Sequence, residues 1–284
     1  MLEASSIFEF IFPFAQYDFM KKALVASWVL CLGSVPLGLF VVLKRMTLIG
    51  DALSHSLLPG VALGYLAFGF SMPAMTVGGF IAGVVVLLLS ALVTSFTRAK
   101  QESSFASFYL ISLSFGVLVI SSKGSATDLH HVLFGNLLAI DNSLLLLIGF
   151  ISSITLIFVS IFYRALVLEA FDFSAYKSYA TQQKLSIFIP WSFLGLLVSN
   201  LVSSFHAIGT LLSLGLIVLP AATAFLWARQ VQMALLFSLG IALVSCYLGL
   251  ILSFHLDLAS GPSIVLVLGS AYVFSIFYQL IKKQ

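Results

Sequence analysis

Stretches of about 20 mostly apolar residues recur along almost the whole chain, and nothing constrains its fold more. As an α-helix, a run of that length matches the hydrocarbon thickness of a bilayer. In lipid the backbone must satisfy its own hydrogen bonds, so a chain made of such runs becomes a bundle of spanning helices. Nine spans are predicted, at 22–43, 51–70, 74–96, 104–121, 142–163, 185–204, 207–227, 233–254 and 263–281. Polar or helix-breaking residues end them: Lys44-Arg45, Ser71-Met72-Pro73, Arg98-Ala99-Lys100, Ser121 to Asp128, Arg164 to Lys184, Arg229-Gln230 and Ser260-Gly261-Pro262. Two boundaries are thin. Only Phe205-His206 divides the sixth span from the seventh, and 129–141 reads as a short re-entrant or surface helix. The expected fold is all-α, a polytopic membrane protein of eight to nine transmembrane helices. Residues 1–21 form an external N-terminal segment and 22–284 a single transmembrane domain. Composition agrees, since 61% hydrophobic and 8% charged residues cannot give a water-soluble surface to 284 residues.

The few charges are distributed unevenly. Alternate loops collect Lys44, Arg45, Arg98, Lys100, Arg164, Lys177, Lys184, Arg229, Lys282 and Lys283, leaving only Lys21, Lys22 and Lys123 for the other side. Basic loops stay in the cytoplasm, so the N-terminus is placed outside and the C-terminus inside. A net charge of +3 with no basic cluster excludes nucleic-acid binding. Cys31 and Cys246, the only cysteines, lie in apolar runs, which rules out a disulfide scaffold. Met1-Leu2-Glu3-Ala4 lacks a basic n-region, so no cleavable signal peptide is expected. Small residues at helix-contact spacing, Gly60/Gly64 and Gly79/Gly83, read as sites of close helix packing.

Ionisable residues at membrane depth are costly and mark function by default. Asp51 and His55 lie four residues apart, so on a helix they project from one face one turn apart. A carboxylate and a neutral imidazole suit a first-row divalent cation, but two ligands do not enclose one. Two copies of the chain around a two-fold axis would supply two of each. The residues also permit plainer roles: Asp51, after Gly50 at the start of a predicted span, as a helix cap, and His55 as a hydrogen-bonded interior histidine. His130, His131, His206 and His255 fall near the outer face with Asp128 and Asp257, as a cation funnel or as solvated loop residues. No phosphate-binding loop, H-E-x-x-H or G-x-S-x-G motif is present, so energy for pumping must come from another chain or an ion gradient.

Tyr17-Asp18-Phe19-Met20 and the run Lys44-Arg45-Met46-Thr47-Leu48-Ile49-Gly50-Asp51-Ala52-Leu53-Ser54-His55-Ser56-Leu57-Leu58-Pro59-Gly60-Val61-Ala62 resemble the signature of metal-ion ABC transporter permeases. These are the membrane subunits of bacterial zinc, manganese and iron importers. Further matches follow in order: Asp128-Leu129 through Leu133-Phe134-Gly135-Asn136-Leu137-Leu138, Ile208-Gly209-Thr210-Leu211-Leu212 through Leu219-Pro220-Ala221-Ala222-Thr223-Ala224, and Leu256-Asp257 through Ser260-Gly261-Pro262-Ser263. The resemblance implies a homodimer or pseudo-dimer in the bacterial inner membrane with a central two-fold path. It implies Asp51 and His55 as metal-interacting residues. It also implies that the cytoplasmic segment Phe225 to Met233, preceded by Pro220 and Thr223 and containing Arg229, docks on an ATPase subunit. The implied partners are that ATPase, an extracytoplasmic metal-binding protein, a second permease chain and lipid, with the metal as cargo and no resident cofactor. One departure stands out: Glu102-Ser103-Ser104-Phe105-Ala106-Ser107 has serines where family members often carry a second acid and a glycine.

The expected function is therefore the permease subunit of an ATP-driven metal importer working by alternating access. A gradient-driven secondary transporter and a non-transporting membrane scaffold are the rivals. Metal binding needs neutral His55 and ionised Asp51, so uptake is expected to fall on acidification.

Overall fold

The computed structural model describes residues 13–69, 71–96, 101–123, 137–182 and 185–282, and among them there is no β-strand. The helices are α1 (Pro13–Gln16), α2 (Asp18–Leu43), α3 (Thr47–Ser56), α4 (Leu58–Phe68), α5 (Met72–Phe96) and α6 (Gln101–Lys123). After a 3-10 turn at Leu137–Ala139 come α7 (Asn142–Phe171), α8 (Phe173–Gln182), α9 (Phe188–Ile208), α10 (Thr210–Trp227), α11 (Val231–Leu256) and α12 (Ser260–Lys282). Six of these, α2, α5, α7, α9, α11 and α12, are long and apolar enough to cross a membrane.

Helix α2 is the hub. It packs against α7, α9, α10 and α11, and 72% of its most apolar window is buried, against 17% for the peripheral α12. Small side chains permit this: Gly38 of α2 sits so close to the Ile217 carbonyl of α10 that a Cβ would overlap it. The same device joins α4 to α5, where Gly60 meets the Gly78 backbone and Gly64 meets Ala74. Gly79 and Gly83 pack on Val61, Val202, Leu57 and Val198. These glycines fulfil the expected close-packing role. Cys31 of α2 and Cys246 of α11 are both buried free thiols whose sulfurs lie 3.3 Å apart.

Three predicted boundaries are corrected. The span expected at 51–70 is two helices, broken at Leu57. Pro59 has no N–H to give to the carbonyl of residue 55, so the helical ladder lapses there, and it resumes with Val61 N–H on the Leu57 carbonyl at 3.1 Å. The span expected to stop at 163 continues through Arg164 to Phe171. Polarity ends a hydrophobic run but does not end a helix. Phe205-His206 is not a boundary either: α9 runs through it and stops at Gly209, whose φ of 95° only glycine adopts without strain. Of the segment 129–141, residues 129–136 lie outside the described residues, and Leu137–Ala139 form a 3-10 turn.

The helix ends sort into two groups. At one end Leu43 packs with Ala224, Ala228 and Val231, Trp227 stacks on Tyr278 at 4.9 Å, and Gln279 donates to the Leu226 carbonyl. At the other, Tyr17 meets Phe254 at 5.5 Å, and Met20 shares a core with Leu137, Ile140 and Ile208. Lys44, Arg45, Arg164, Lys177, Arg229 and Lys282 therefore gather at the first end, and His206, His255 and Asp257 lie toward the second.

Candidate functional site

Asp51 and His55 both lie on α3, whose first residue is Thr47. Asp51 is therefore inside the helix and does not cap it. The Asp51 Oδ1 and His55 Nε2 atoms are 3.7 Å apart, with the carboxylate side chain 50% exposed and the imidazole 20% exposed. That distance is too long for a hydrogen bond. It is the separation that two ligands about 2.0–2.2 Å from one ion would subtend at an angle of about 120°. The imidazole lies against Tyr109 of α6, with ring centroids 6.1 Å apart and the planes 29° from parallel.

The rest of α3 turns the pair outward. Ala52, Leu53, Ser54 and Ser56 are buried, and a Cβ on Gly50 would touch Leu214 of α10. The serines are satisfied locally, Ser54 donating to the Gly50 carbonyl and Ser56 to the Leu53 carbonyl. Leu48, Asp51 and His55 share the opposite face, where Leu48 is 72% exposed. The helix break just beyond His55 is braced by Ser112 of α6, whose hydroxyl donates to the Ser56 carbonyl at 3.2 Å. A broken helix at membrane depth is tolerated where neighbouring side chains satisfy the freed backbone in this way. Sequence reading missed Ser112 because nothing local to it signals a break in another helix.

Among the described residues no three His, Cys, Asp or Glu side chains converge on one point. Among the described residues Asp51 and His55 thus stand as a pair with no third such side chain beside them. The proposed outer funnel is only partly placed. His130, His131 and Asp128 lie outside the described residues. His206 is buried in α9, with Nδ1 donating to the Val202 carbonyl at 2.8 Å, so it is a core residue and not part of a loop. His255 is on the last turn of α11, its Nδ1 donating to Ile251 at 3.0 Å. Asp257, at φ 49°, ends that helix while the Leu258 N–H returns to the Ser253 carbonyl, the closing geometry of a Schellman-type cap.

The segment expected to dock on an ATPase is likewise divided. Pro220 and Thr223 are buried in α10, the Thr223 hydroxyl donating to Leu219, whereas Arg229 is exposed in the short link to α11. At the same end α8 presents Phe173, Ser174, Lys177 and Ser178 outward and anchors itself inward through Tyr176. The Tyr176 hydroxyl donates to the Ser186 carbonyl at 3.1 Å. Burial first, and then the Glu169 charge, push that phenol up to about 12. In the departure segment Ser104 is buried and donates to the Ser90 carbonyl of α5. The side chains of Glu102 and Ser103 lie outside the described residues.

Beside this end lies an ion pair that sequence reading did not single out. Lys44, directly after α2, places Nζ 2.7 Å from a Glu169 carboxylate oxygen in the last turn of α7. The same ammonium lies 4.2 Å from the ring centroid of Phe193 in α9. Burial pulls it below the ordinary lysine range, and Glu169 opposes the shift. The only hint was a lone acid in the apolar run Ala165-Leu166-Val167-Leu168-Glu169-Ala170-Phe171.

Comparison with known proteins places this geometry in context. Residues 16–279 match the ABC 3 transport family. The chain is 32% identical to the manganese transport system membrane protein MntC of Listeria monocytogenes, over 95% of this chain and 93% of that one. It is also 32% identical to the manganese import system permease protein ScaB of Streptococcus gordonii, covering 97% and 96%. To the chelated iron transport system membrane protein YfeD of Yersinia pestis it is 31% identical, covering 95% and 88%. A chain of the solved PsaBC from Streptococcus pneumoniae in complex with Fab superposes with a TM-score of 0.82 at 28% identity, over 95% of each chain.

Proposed function

The chain belongs to the ABC 3 transport family of metal ABC transporter permeases, and from that premise we propose that it is the membrane subunit of an ATP-driven importer for a divalent transition metal. Its relatives' names point to manganese or iron. Asp51 and His55 form half of the transport site. The observation that carries this reading is their 3.7 Å separation on one helix face, the carboxylate half exposed and the imidazole partly covered, with no third ligand converging among the described residues. A second copy across a two-fold axis supplies the other Asp and His. Four hard-to-borderline donors suit manganese, iron and zinc alike. Because the half-sites belong to different chains, moving the chains apart dissolves the site and frees the ion, which a cage within one chain would not do.

The cationic end faces the cytoplasm, by the preference of Lys and Arg for that side. There the exposed face of α8, together with Arg229, receives an ATPase subunit that drives the change of access. An extracytoplasmic binding protein delivers the ion at the opposite end. The chain itself carries no hydrolytic step.

Uptake of 54Mn2+ into proteoliposomes holding the complete transporter tests the site. D51A and H55A are each expected to reduce ATP-dependent uptake by about a hundredfold, since changing even an outer-sphere partner of a metal ligand costs on the order of 10–100-fold. Assembly with the ATPase should persist. Wild-type uptake in both single variants would remove the site, and uptake by this chain without any ATPase would favour a gradient-driven carrier.

A further inference from the structure

We propose that the buried Lys44–Glu169 pair is the link through which the α7–α8 corner sets the position of α3, and hence of Asp51 and His55. The proposal deepens the permease reading and rests on it. Lys44 lies in the three-residue corner between α2 and α3, seven positions before Asp51. Its side chain is 7% exposed and that of Glu169 13%, so the two charges meet largely withdrawn from water. Charges in such surroundings separate only at high cost, because each would be left buried and uncompensated. The corner carrying Lys44 and the helix end carrying Glu169 therefore move as one body.

Both sides of the pair are tied to what they would have to move. On the α3 side, α2 closes with Met46 N–H on the Val41 carbonyl at 2.8 Å and Arg45 at φ 57°, so the chain turns abruptly into α3. Only Met46 separates that turn from the first residue of α3. On the other side, α7 and α8 are joined through a single residue, Asp172. Its N–H bonds the Leu168 carbonyl, and its carboxylate accepts the Ala175 N–H at 2.9 Å. A displacement of α8 is thereby transmitted to Glu169, three residues before Asp172.

The surroundings leave room for such a displacement. A cavity of about 730 Å³ borders the pair, lined by Arg45, Met46, Ile49, Phe171, Phe173 and Pro190 among others. It contacts the α3 corner, the α7–α8 corner and the start of α9 at once. A clamp serving only rigidity would be packed on all sides. Here a charged tether crosses beside open space, so the corners can shift together without collision. Lys44 and Glu169 are positioning residues in this account, since neither reaches the ion.

The test uses the complete transporter in proteoliposomes with its ATPase subunit and binding protein, and reads Mn2+ imported per ATP hydrolysed. K44M and E169Q should each lower that ratio by about 5- to 150-fold, the range of ordinary coupling between sites. Mn2+ binding to the purified complex should stay as in the wild type. The reversed pair K44E/E169K should recover most of the ratio. If single variants fail to fold, the neutral pair K44M/E169L, which removes both charges and keeps the volume, should fold and remain uncoupled. A wild-type ratio in the singles, or in K44M/E169L, overturns the proposal. Equal losses of Mn2+ binding and import overturn it too, since they would make the pair a scaffold of the ion site. A wild-type complex that moves no Mn2+ would instead refute the permease reading.

Discussion

Asp141 caps α7 by accepting the Leu144 N–H at 2.9 Å, and it also accepts from the Ser143 hydroxyl. These bonds, the hydroxyl first, hold its carboxyl below the ordinary aspartate range. A lowered folded value means that the stabilising charge is fully present above the unfolded value, about 3.9. It is lost as pH falls through the lower folded value. D141A should therefore lower the stability of the detergent-solubilised protein by about 0.5–2 kcal/mol near neutral pH. The gap from wild type should narrow only below about pH 4. A gap that does not change with pH would mean that the carboxylate is not what holds the helix start. At this scale the sequence is informative wherever chemistry and spacing are local. The juxtaposition of Asp51 and His55 was legible because one helical turn separates them. Glu169 was not, because its meaning depends on Lys44, which only the packing of α7 beside the α2–α3 corner brings near.

Among elements, several helix contacts rest on close backbone approach at glycine, as expected where lipid gives no hydrophobic drive for association. Gly38 against the Ile217 carbonyl and Gly60 against the Gly78 carbonyl leave no volume for a methyl group. Gly149 and Gly240 have no atom within 4 Å of an added Cβ. Ala replaces Gly within a helix with a gain of about 0.5–1 kcal/mol when space is free. Forced overpacking loses about 1–3 kcal/mol. G149A and G240A should thus leave the melting temperature equal or higher, and G38A and G60A should lower it. The ranking is read by thermal unfolding in one detergent, and a drop in all four would deny that contact distance decides the sign. Most long elements were legible to within a few residues, such as 22–43 against Asp18–Leu43 and 233–254 against Val231–Leu256, because hydropathy reports burial in lipid. Hydropathy is blind to backbone continuity, so it joined α3 to α4 although Pro59 marked the break. It also stopped α7 at Arg164, where only the apolar character ends.

At the scale of the whole molecule, the open face of α3 has one consequence that a single chain cannot satisfy. Leu48, Asp51 and His55 lie within about 60° of one another around the helix, at 100° per residue. The leucine is 72% exposed, and a carboxylate beside it is half exposed. Lipid would accept the leucine but would penalise the aspartate by about 2.5–3.5 kcal/mol or more. A facing copy related by a two-fold axis resolves this, because a symmetric interface presents the same patch on both sides. A two-fold axis running roughly along α3 that brings the two Asp51 carboxylates to a shared ion also brings the two Leu48 side chains toward each other, one turn away. In a background with Cys31 and Cys246 replaced by serine, L48C should therefore form a covalent dimer on mild oxidation of the assembled transporter in membranes, and the cysteine-free parent should not. Mn2+ should slow that cross-linking if it holds the half-sites at a fixed separation. An assembled, transporting L48C complex that stays monomeric on denaturing gels would place α3 away from the axis, and the two-fold site would have to be abandoned even though the family assignment stands.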